Sequence, residues 1–397
     1  MKKYIFILGQ ANDLAKQELI SFLELENDTE SLIQDGFIIA SSDMRPEELI
    51  KNLGGTIKVA EFIGEIKNLY DLTPEQFLEW LALSPQENKL NFGLSLYHGQ
   101  KKDLKFLQKI ALGAKKILKQ EHKQSARLVV GQNLDLSSVI VTKNKLLGRE
   151  LIFISAKNIF FIGKTLAVQD FENYAFRDME RPGRDSRSGM LPPKVAQMML
   201  NLNGPNRELN LLDPFCGSGT IIQEAALLGF EKIFGSDISL KAVNDSRENL
   251  DWLAENYDIK SNYEISQQDV NHLELKDKID LIVAEPFMGD ARTLQNPNNL
   301  KYIQNLCQEL PKLYLTAFEQ FKKISSKQAK VIFIFPIFVL NKTHFSTLPQ
   351  AQIERLGWES IKPNFKSANF SQNKNIIYQR PEQKVLREIT VWQKKLN

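Results

Sequence analysis

The stretch Asn210-Leu-Leu-Asp-Pro-Phe-Cys-Gly-Ser-Gly-Thr-Ile-Ile-Gln-Glu-Ala-Ala226 decides the fold. Its apolar start reads as a strand ending at Asp213; a tight loop then carries Gly217 and Gly219, and a helix begins near Thr220. Glycines let a backbone come close to a ligand and adopt positive φ. The N–H groups that open the helix then face that ligand. Three nucleotide-binding designs share this outline, and two of them do not fit. A phosphate-binding P-loop ends in Gly-Lys-Ser/Thr, and no such lysine occurs here. The dinucleotide fingerprint needs a third glycine three residues after the second, where this chain has Ile222.

The third design places an acid at the strand end before G-x-G, where S-adenosylmethionine-binding enzymes hold the methionine part of that cofactor. Asp213 is that acid, and Pro214, Phe215, Cys216, Gly217, Ser218, Gly219 and Thr220 complete the expected loop. Cys216 reads as a small loop residue rather than a nucleophile. Lys232–Asp237 is a second strand closing on an acid, 24 residues after Asp213, with Ile238 following. Related sheets bind ribose hydroxyls with an acid at about 20 residues' spacing. Tyr263–Val270 brings Asp269 to the next strand end, where it can accept from an adenine amino group, with Val270 beside it. Either acid alone reads equally well as a helix cap. In series after a G-x-G loop, they read as a cofactor site.

The next strand, Asp280–Ala284, is a continuous apolar run of the kind buried in parallel sheets. It leads into Glu285-Pro286-Phe287-Met288-Gly289. Ligands of such sheets lie at the carboxyl ends of the strands, so this segment faces the reacting group. An exocyclic amino nitrogen is a weak nucleophile because its lone pair is delocalised into the base. Glu285, with the backbone beyond Pro286, is placed to accept from that amino group, and Phe287 to stack on the base.

Working outward, residues 1–70 alternate strand and helix as a small α/β module. Residues 101–120 form an amphipathic helix with Leu104, Leu107, Ile110, Ala114, Ile117 and Leu118 on its apolar face. Lys101, Lys102, Lys105, Lys115 and Lys116 stand on its other faces. Net charge is +3, unevenly spread: residues 1–90 carry 8 basic against 16 acidic residues, and residues 91–200 carry 19 against 9. The basic middle is where a polyanion can sit, although Lys-rich helices are most often only solvated faces. Residues 170–189 read as a linker or ordered loop whose Arg177, Arg181, Arg184 and Arg187 suit phosphate contacts.

Several classes are set aside. The longest apolar run, Val331–Leu340, is broken by Pro336 and falls short of the ~18 residues a membrane span needs. Lys2-Lys3 before Tyr4–Leu8 superficially resembles a signal peptide, but the run is too short for one. Only Cys216 and Cys307 occur, which argues against a disulfide framework and for a reducing cytoplasm. His98, His122, His272 and His344 show no paired metal spacing, so no metal site is expected.

The chain resembles the THUMP-domain tRNA guanine-N2 methyltransferases, which modify guanosine at position 10 of tRNA. The residues that carry this are Ala167–Phe171, Arg177-Asp178, Arg181-Pro-Gly-Arg184, Ser188-Gly-Met-Leu-Pro-Pro-Lys194 and Asp213–Thr220, with Tyr4–Gly9 and Val385–Ile389 at the two ends. The resemblance implies an α/β chain in three parts: a ferredoxin-like domain over 1–70, a THUMP RNA-binding domain over 71–168 and, after a linker at 169–184, a Rossmann-like class I methyltransferase domain over 185–397. It implies S-adenosylmethionine as cofactor, with Met190, Leu191 and Pro192 against it, and tRNA as partner. A small activating subunit is left open. One departure stands out, since the family's tetrad is Asp or Asn, Pro, Pro, then an aromatic. Here Glu285 replaces the short acid, Phe287 the second proline and Met288 the aromatic. Three readings follow: an RNA amino-methyltransferase with Phe287 stacking one position early, a tRNA-binding scaffold that has lost catalysis, and a DNA amino-methyltransferase.

Overall fold

The computed structural model describes residues 1–81, 89–121, 123–131, 133–184, 190–290, 300–340, 343–380, 383 and 385–396. Its contacts divide the chain into two compact units. The first holds residues 1–10, 28–52 and 56–173, and the second holds 11–27, 53–55 and 174–397.

The first unit is built on β1 (Lys2–Leu8), β2 (Leu32–Gln34), β3 (Phe37–Ser42), β4 (Thr56–Ile66), β5 (Lys89–Tyr97), β6 (Ser125–Val129), β7 (Glu150–Ala156) and β8 (Ile159–Val168). These form one eight-stranded sheet in the order β2-β3-β1-β4-β8-β7-β5-β6. Residues on both sides of the 70/71 division implied by the resemblance share this sheet, because β4 pairs antiparallel with β8 from Lys58↔Val168 to Ile66↔Phe160. Its helices include α2 (Pro46–Asn52), α3 (Pro74–Leu81), α4 (Lys101–Gln120) and α5 (Ser138–Lys143). α4 starts with a capping box between Gln100 and Asp103. It buries Leu107, Ile110, Ala111, Ala114 and Leu118 against Phe77, Phe92 and Phe153. Within the sheet, Lys58 and Glu150 form an ion pair at 2.6 Å with both side chains almost fully buried. Glu150 also accepts from Ser95 Oγ at 2.5 Å and Thr165 Oγ1 at 2.6 Å.

The second unit contains α1 (Asn12–Phe22), most of α6 (Phe171–Met179), α7 (Pro193–Asn201), β9 (Asn210–Asp213), α8 (Thr220–Leu227), β10 (Lys232–Asp237) and α9 (Leu240–Asn256). It continues with β11 (Asn262–Gln267), β12 (Ile279–Ala284), α10 (Leu300–Ile324), β13 (Ser325–Leu340) and β14 (Thr343–Ser346). The last elements are α11 (Gln350–Arg355), β15 (Trp358–Ile361), β16 (Ile376–Tyr378) and β17 (Val385–Lys394). Strand order is β11-β10-β9-β12-β13-β17-β15, with β14 beside β13 and β16 beside β17. β9 to β13 run parallel, and β17 is antiparallel to β13. Order therefore reverses between β10 and β12 across β9, which opens a crevice at the carboxyl ends of β9 and β12.

Val331–Leu340 is part of β13, and Pro336 sits inside the strand opposite Arg387. A cluster of rings (Tyr314, Phe318, Phe321, Phe333, Phe335, Trp358 and Trp392) fills the space between β13 and α10. Residues 11–27 join this unit through Glu18, whose buried carboxylate accepts from Gly54 N at 2.7 Å, Gly55 N at 2.8 Å and Asn201 Nδ2 at 2.7 Å. Burial pushes that carboxyl up to about 7 against these three donors. Among the described residues, no helix is long and apolar enough to cross a membrane, and no cluster of side chains is arranged to hold a metal.

Replacing Lys58 with Met leaves Glu150 buried without its cation, so the folded state should lose about 3–5 kcal/mol in urea unfolding. Lys58→Met combined with Glu150→Gln should recover a large part of that loss.

Candidate active site

The loop after β9 is shaped by its glycines. Gly217 has φ +53° and Gly219 φ +85°, and Gly219 is the left-handed residue from which α8 starts. A Cβ on Gly219 would lie 2.4 Å from Ser246 Oγ on α9, so only glycine allows α9 to pack this closely. From the same helix, buried Asn249 donates through Nδ2 to Ser218 O and to Gly183 O, both at 2.7 Å, and accepts from Gly183 N at 2.8 Å. Asn249 thereby ties the loop to the segment before α7.

The loop forms one wall of a cavity of about 600 Å³, a volume typical of cofactor sites. Met190, Leu191, Asp213 to Ser218, Thr220, Asp237, Ile238, Asp269, Val270 and Glu285 line it together with Pro286, Phe287 and Met288. Of the expected cofactor contacts, Pro192 and Gly219 stand behind this lining, as the caps of α7 and α8. Asp237 accepts from Gly217 N at 3.1 Å and Ser239 N at 2.9 Å. Each of its oxygens keeps a further lone pair, as paired ribose hydroxyls require. Asp269 accepts from Asn271 N at 3.0 Å and Asn271 Nδ2 at 2.8 Å. These hydrogen bonds hold its carboxyl below the usual range, so Asp269 acts as a cap and still lines the cavity. Asp213 is buried and accepts from Phe215 N at 3.1 Å. Burial first, and then the charges of Asp237 and Glu285, push its carboxyl well up. Cys216 is buried, and burial raises its thiol too far for thiolate chemistry.

Glu285 closes β12. Its carboxylate accepts from Arg387 Nε on β17 at 2.5 Å, and its side chain is 13% exposed. Tyr314 on α10, fully buried, donates its hydroxyl to Phe287 O at 2.8 Å and so anchors the backbone after Pro286. The Phe287 ring is 56% exposed on the cavity side.

Two of the expected phosphate-binding arginines belong to the interior instead. Arg177 is 7% exposed, and it donates to Glu224 through Nε at 2.7 Å and Nη2 at 3.1 Å while stacking on Tyr174. Arg181 is 2% exposed and donates to Thr220 Oγ1 at 2.7 Å and Met190 Sδ at 3.2 Å. A guanidinium committed to a buried carboxylate or to the cavity wall is not offered to a phosphate. Arg181 instead fixes two residues that line the site. Arg184 is exposed and bonds Met179 O at 3.0 Å. Arg187, Ser188 and Gly189 lie outside the described residues, as does His122. On α4, Lys101, Lys102, Lys105 and Lys116 are exposed, and Lys115 is half-buried.

A family model described as the RMKL-like methyltransferase domain matches residues 181–335. These residues are thus similar to that domain over their whole matched length. Curated relatives bear the name tRNA (guanine(10)-N2)-dimethyltransferase. The protein of Methanothermobacter thermautotrophicus is 36% identical over 33% of this chain and 37% of its own length. That of Pyrococcus abyssi is 26% identical over 63% of this chain and 67% of its own, and that of Methanocaldococcus jannaschii 30% identical over 38% and 43%. The matched segments thus span between about a third and two thirds of these relatives. Among solved structures, TrmN from Thermus thermophilus aligns over 99% of both chains at 17% identity with a TM-score of 0.52. A possible methylase from Clostridium difficile 630 aligns over 100% of this chain and 98% of its own at 15% identity, TM-score 0.51. At these identities the two structures show a shared fold and nothing more. The lining of the cavity fits S-adenosylmethionine: a buried acid beside the glycine loop, an acid with open lone pairs at the second strand end, and an exposed apolar Ile238 next to it.

Gly219→Ala adds a Cβ both to a left-handed residue and against Ser246. S-adenosylmethionine affinity, measured by calorimetry, should fall roughly 5- to 150-fold, since the strain of positive φ at a residue with a Cβ costs roughly 1–3 kcal/mol.

Proposed function

We propose that this chain is an S-adenosylmethionine-dependent methyltransferase acting on the exocyclic N2 amino group of a guanosine in tRNA. One observation carries the reading: the carboxylate of Glu285 lines the same cavity as the Asp213–Thr220 loop, Asp237 and Asp269. A group accepting from an amino substituent therefore shares a wall with a cofactor-shaped crevice. The name of the curated relatives supports guanine N2 in tRNA as the target.

S-adenosylmethionine supplies an electrophilic methyl group on a sulfonium sulfur. The residues of the chain then act on the acceptor. Glu285 accepts a hydrogen bond from the amino group, which localises the nitrogen lone pair, and takes the proton released as the N–C bond forms. Phe287 O, held by Tyr314, is the backbone acceptor for the second N–H, and the exposed Phe287 ring offers a stacking face. Residues 1–70 as a ferredoxin-like part and 71–168 as a THUMP part serve to grip the RNA, with Lys101, Lys102, Lys105 and Lys116 along α4 contacting phosphate. The cytoplasm, where tRNA is matured, is the compartment this reading implies.

Unmodified tRNA incubated with the protein and S-adenosylmethionine should yield N2-methylguanosine or N2,N2-dimethylguanosine in nucleoside mass spectrometry. Methylation of another nucleoside would move the target. No methylation with tRNA and cofactor both bound would leave a scaffold. Exchanging Lys101, Lys102 and Lys105 for Ala should flatten the plot of log affinity against log salt by roughly 0.7–0.9 for each phosphate no longer neutralised. An unchanged slope would remove α4 from the interface.

A further inference from the structure

The ion pair between Glu285 and Arg387 sits where the tetrad departs from its family, and no spacing in the sequence announces it. Arg387 lies on β17 between two partners: Pro336 of β13 on one side and Tyr378 of β16 on the other. It is 5% exposed and donates from Nε to Glu285 Oε1 at 2.5 Å. Glutamate at the end of β12 has one more rotatable bond than aspartate and would otherwise sample several rotamers. A buried guanidinium on a rigid central strand fixes one of them.

Charge matters as much as shape here. Burial pushes the Glu285 carboxyl up, while Arg387, through its charge and then its hydrogen bond, and to a smaller degree Arg380, pull it back down. Two other titratable groups face it. Asp213 on β9 feels its charge directly, and so does Tyr314 on α10. Without Arg387 the buried pair of acids, Asp213 and Glu285, would favour the neutral form of Glu285.

We propose that Arg387 holds Glu285 as a fixed carboxylate, and that this anion makes the site select guanine over adenine and cytosine. The inference rests on the methyltransferase reading above. A carboxylate is acceptor-only. Guanine presents two adjacent donors, the ring N1–H and the N2 amino group, and the two oxygens of Glu285 can receive both. Adenine and cytosine present a ring-nitrogen acceptor beside the amino group, so one lone pair would face another. A neutral glutamic acid, which carries its own donor, would lose that distinction. Arg387 is thus a positioning residue that sets specificity through Glu285. During transfer the S–CH₃ bond breaks with its electrons going to sulfur, the N2 lone pair forms N–CH₃, and one N2 proton passes to Glu285.

The test compares wild type with Arg387→Met, Arg387→Lys and Glu285→Gln on tRNA transcripts whose target guanine is kept or replaced by 2-aminopurine. The analogue keeps the amino group and turns N1–H into an acceptor. Wild type should prefer guanine by at least about 100-fold in kcat/KM. Arg387→Met should lower kcat roughly 10- to 100-fold with KM for tRNA little changed, as a misplaced catalytic group does. It should also shrink the guanine preference and move the acidic limb of the pH profile to higher pH. The sign follows from the anion being the active form: losing the cation raises the Glu285 pKa, so activity is lost at a higher pH as acid is added. Arg387→Lys should restore part of both effects. Glu285→Gln, whose amide carries its own donor, should reproduce the loss of preference from the other side, even if Arg387→Met does not fold. S-adenosylhomocysteine affinity reports folding for each variant. An unchanged limb together with an unchanged preference in the folded variants would overturn the proposal. If wild type methylates no guanosine at all, the proposed function fails first. In that case carboxyl NMR titration of Glu285 still decides the present point: a rise in its pKa in Arg387→Met sustains the role, and no rise removes it.

Discussion

The cavity depends on how closely α9 can lie against the loop that follows β9. Two glycines permit that approach. Gly219 faces Ser246 and Gly183 faces Asp245, and at each a Cβ would come within 3.0 Å of α9. Asn249, between them in space, spends all its hydrogen-bonding groups on the backbone of Ser218 and Gly183. Contacts of this kind set the loop firmly, because they grip its backbone, which has no rotamer to change, through the buried Asn249 side chain. The loop in turn gives Gly217 N to Asp237. The second strand end is therefore fixed by the first, and the cofactor wall forms as one piece.

The other wall answers to electrostatics. Three acids crowd the carboxyl ends of β9, β10 and β12, and two of them, Asp213 and Glu285, are raised by burial. A sulfonium or ammonium group entering the cavity would relieve that crowding, so the site is poised for a cation. Of the three, only Glu285 has a protein cation against its carboxylate among the described residues, and this separates the roles. Asp213 is left to respond to the ligand, while Glu285 keeps its charge. Further out, the same economy of buried charge appears at Arg177 and Glu224, whose bidentate pair fastens α6 to α8.

The glycine loop, the strand-end acids at 213, 237 and 269 and the apolar strand before Glu285 were all readable, because each has a fixed offset from a strand end and the period of a parallel sheet makes strand ends visible. The arginines were harder. Arg177, Arg181, Arg184 and Arg187 look alike in a segment rich in charge, glycine and proline, and composition there suggests solvent. Their true separation comes from tertiary partners, Glu224 for Arg177 and Thr220 with Met190 for Arg181, about 10 to 50 positions away in sequence. The sequence did hold one unread signal. Arg387-Glu388 interrupts the strand Val385–Trp392, whose other residues are apolar except Thr390. Charged residues in such a strand are buried only with partners, and each has one: Arg387 holds Glu285, and Glu388 receives Ser371 Oγ at 2.5 Å and Asn375 Nδ2 at 2.8 Å.

The odd tetrad then becomes intelligible as a set of linked changes rather than a decayed motif. A longer acid at the end of β12 needs something to stop it wandering, and Arg387 supplies that from a strand two places along the sheet. Loss of the second proline removes a rigid turn after Pro286, and the hydrogen bond from Tyr314 to Phe287 O holds the backbone at that position. With Met288 where an aromatic is expected, the adjacent residue on the cavity wall, Phe287, carries a ring, and it is exposed. Each departure is matched by a group that performs the missing physical task, with the acid fixed, the backbone anchored and a ring offered.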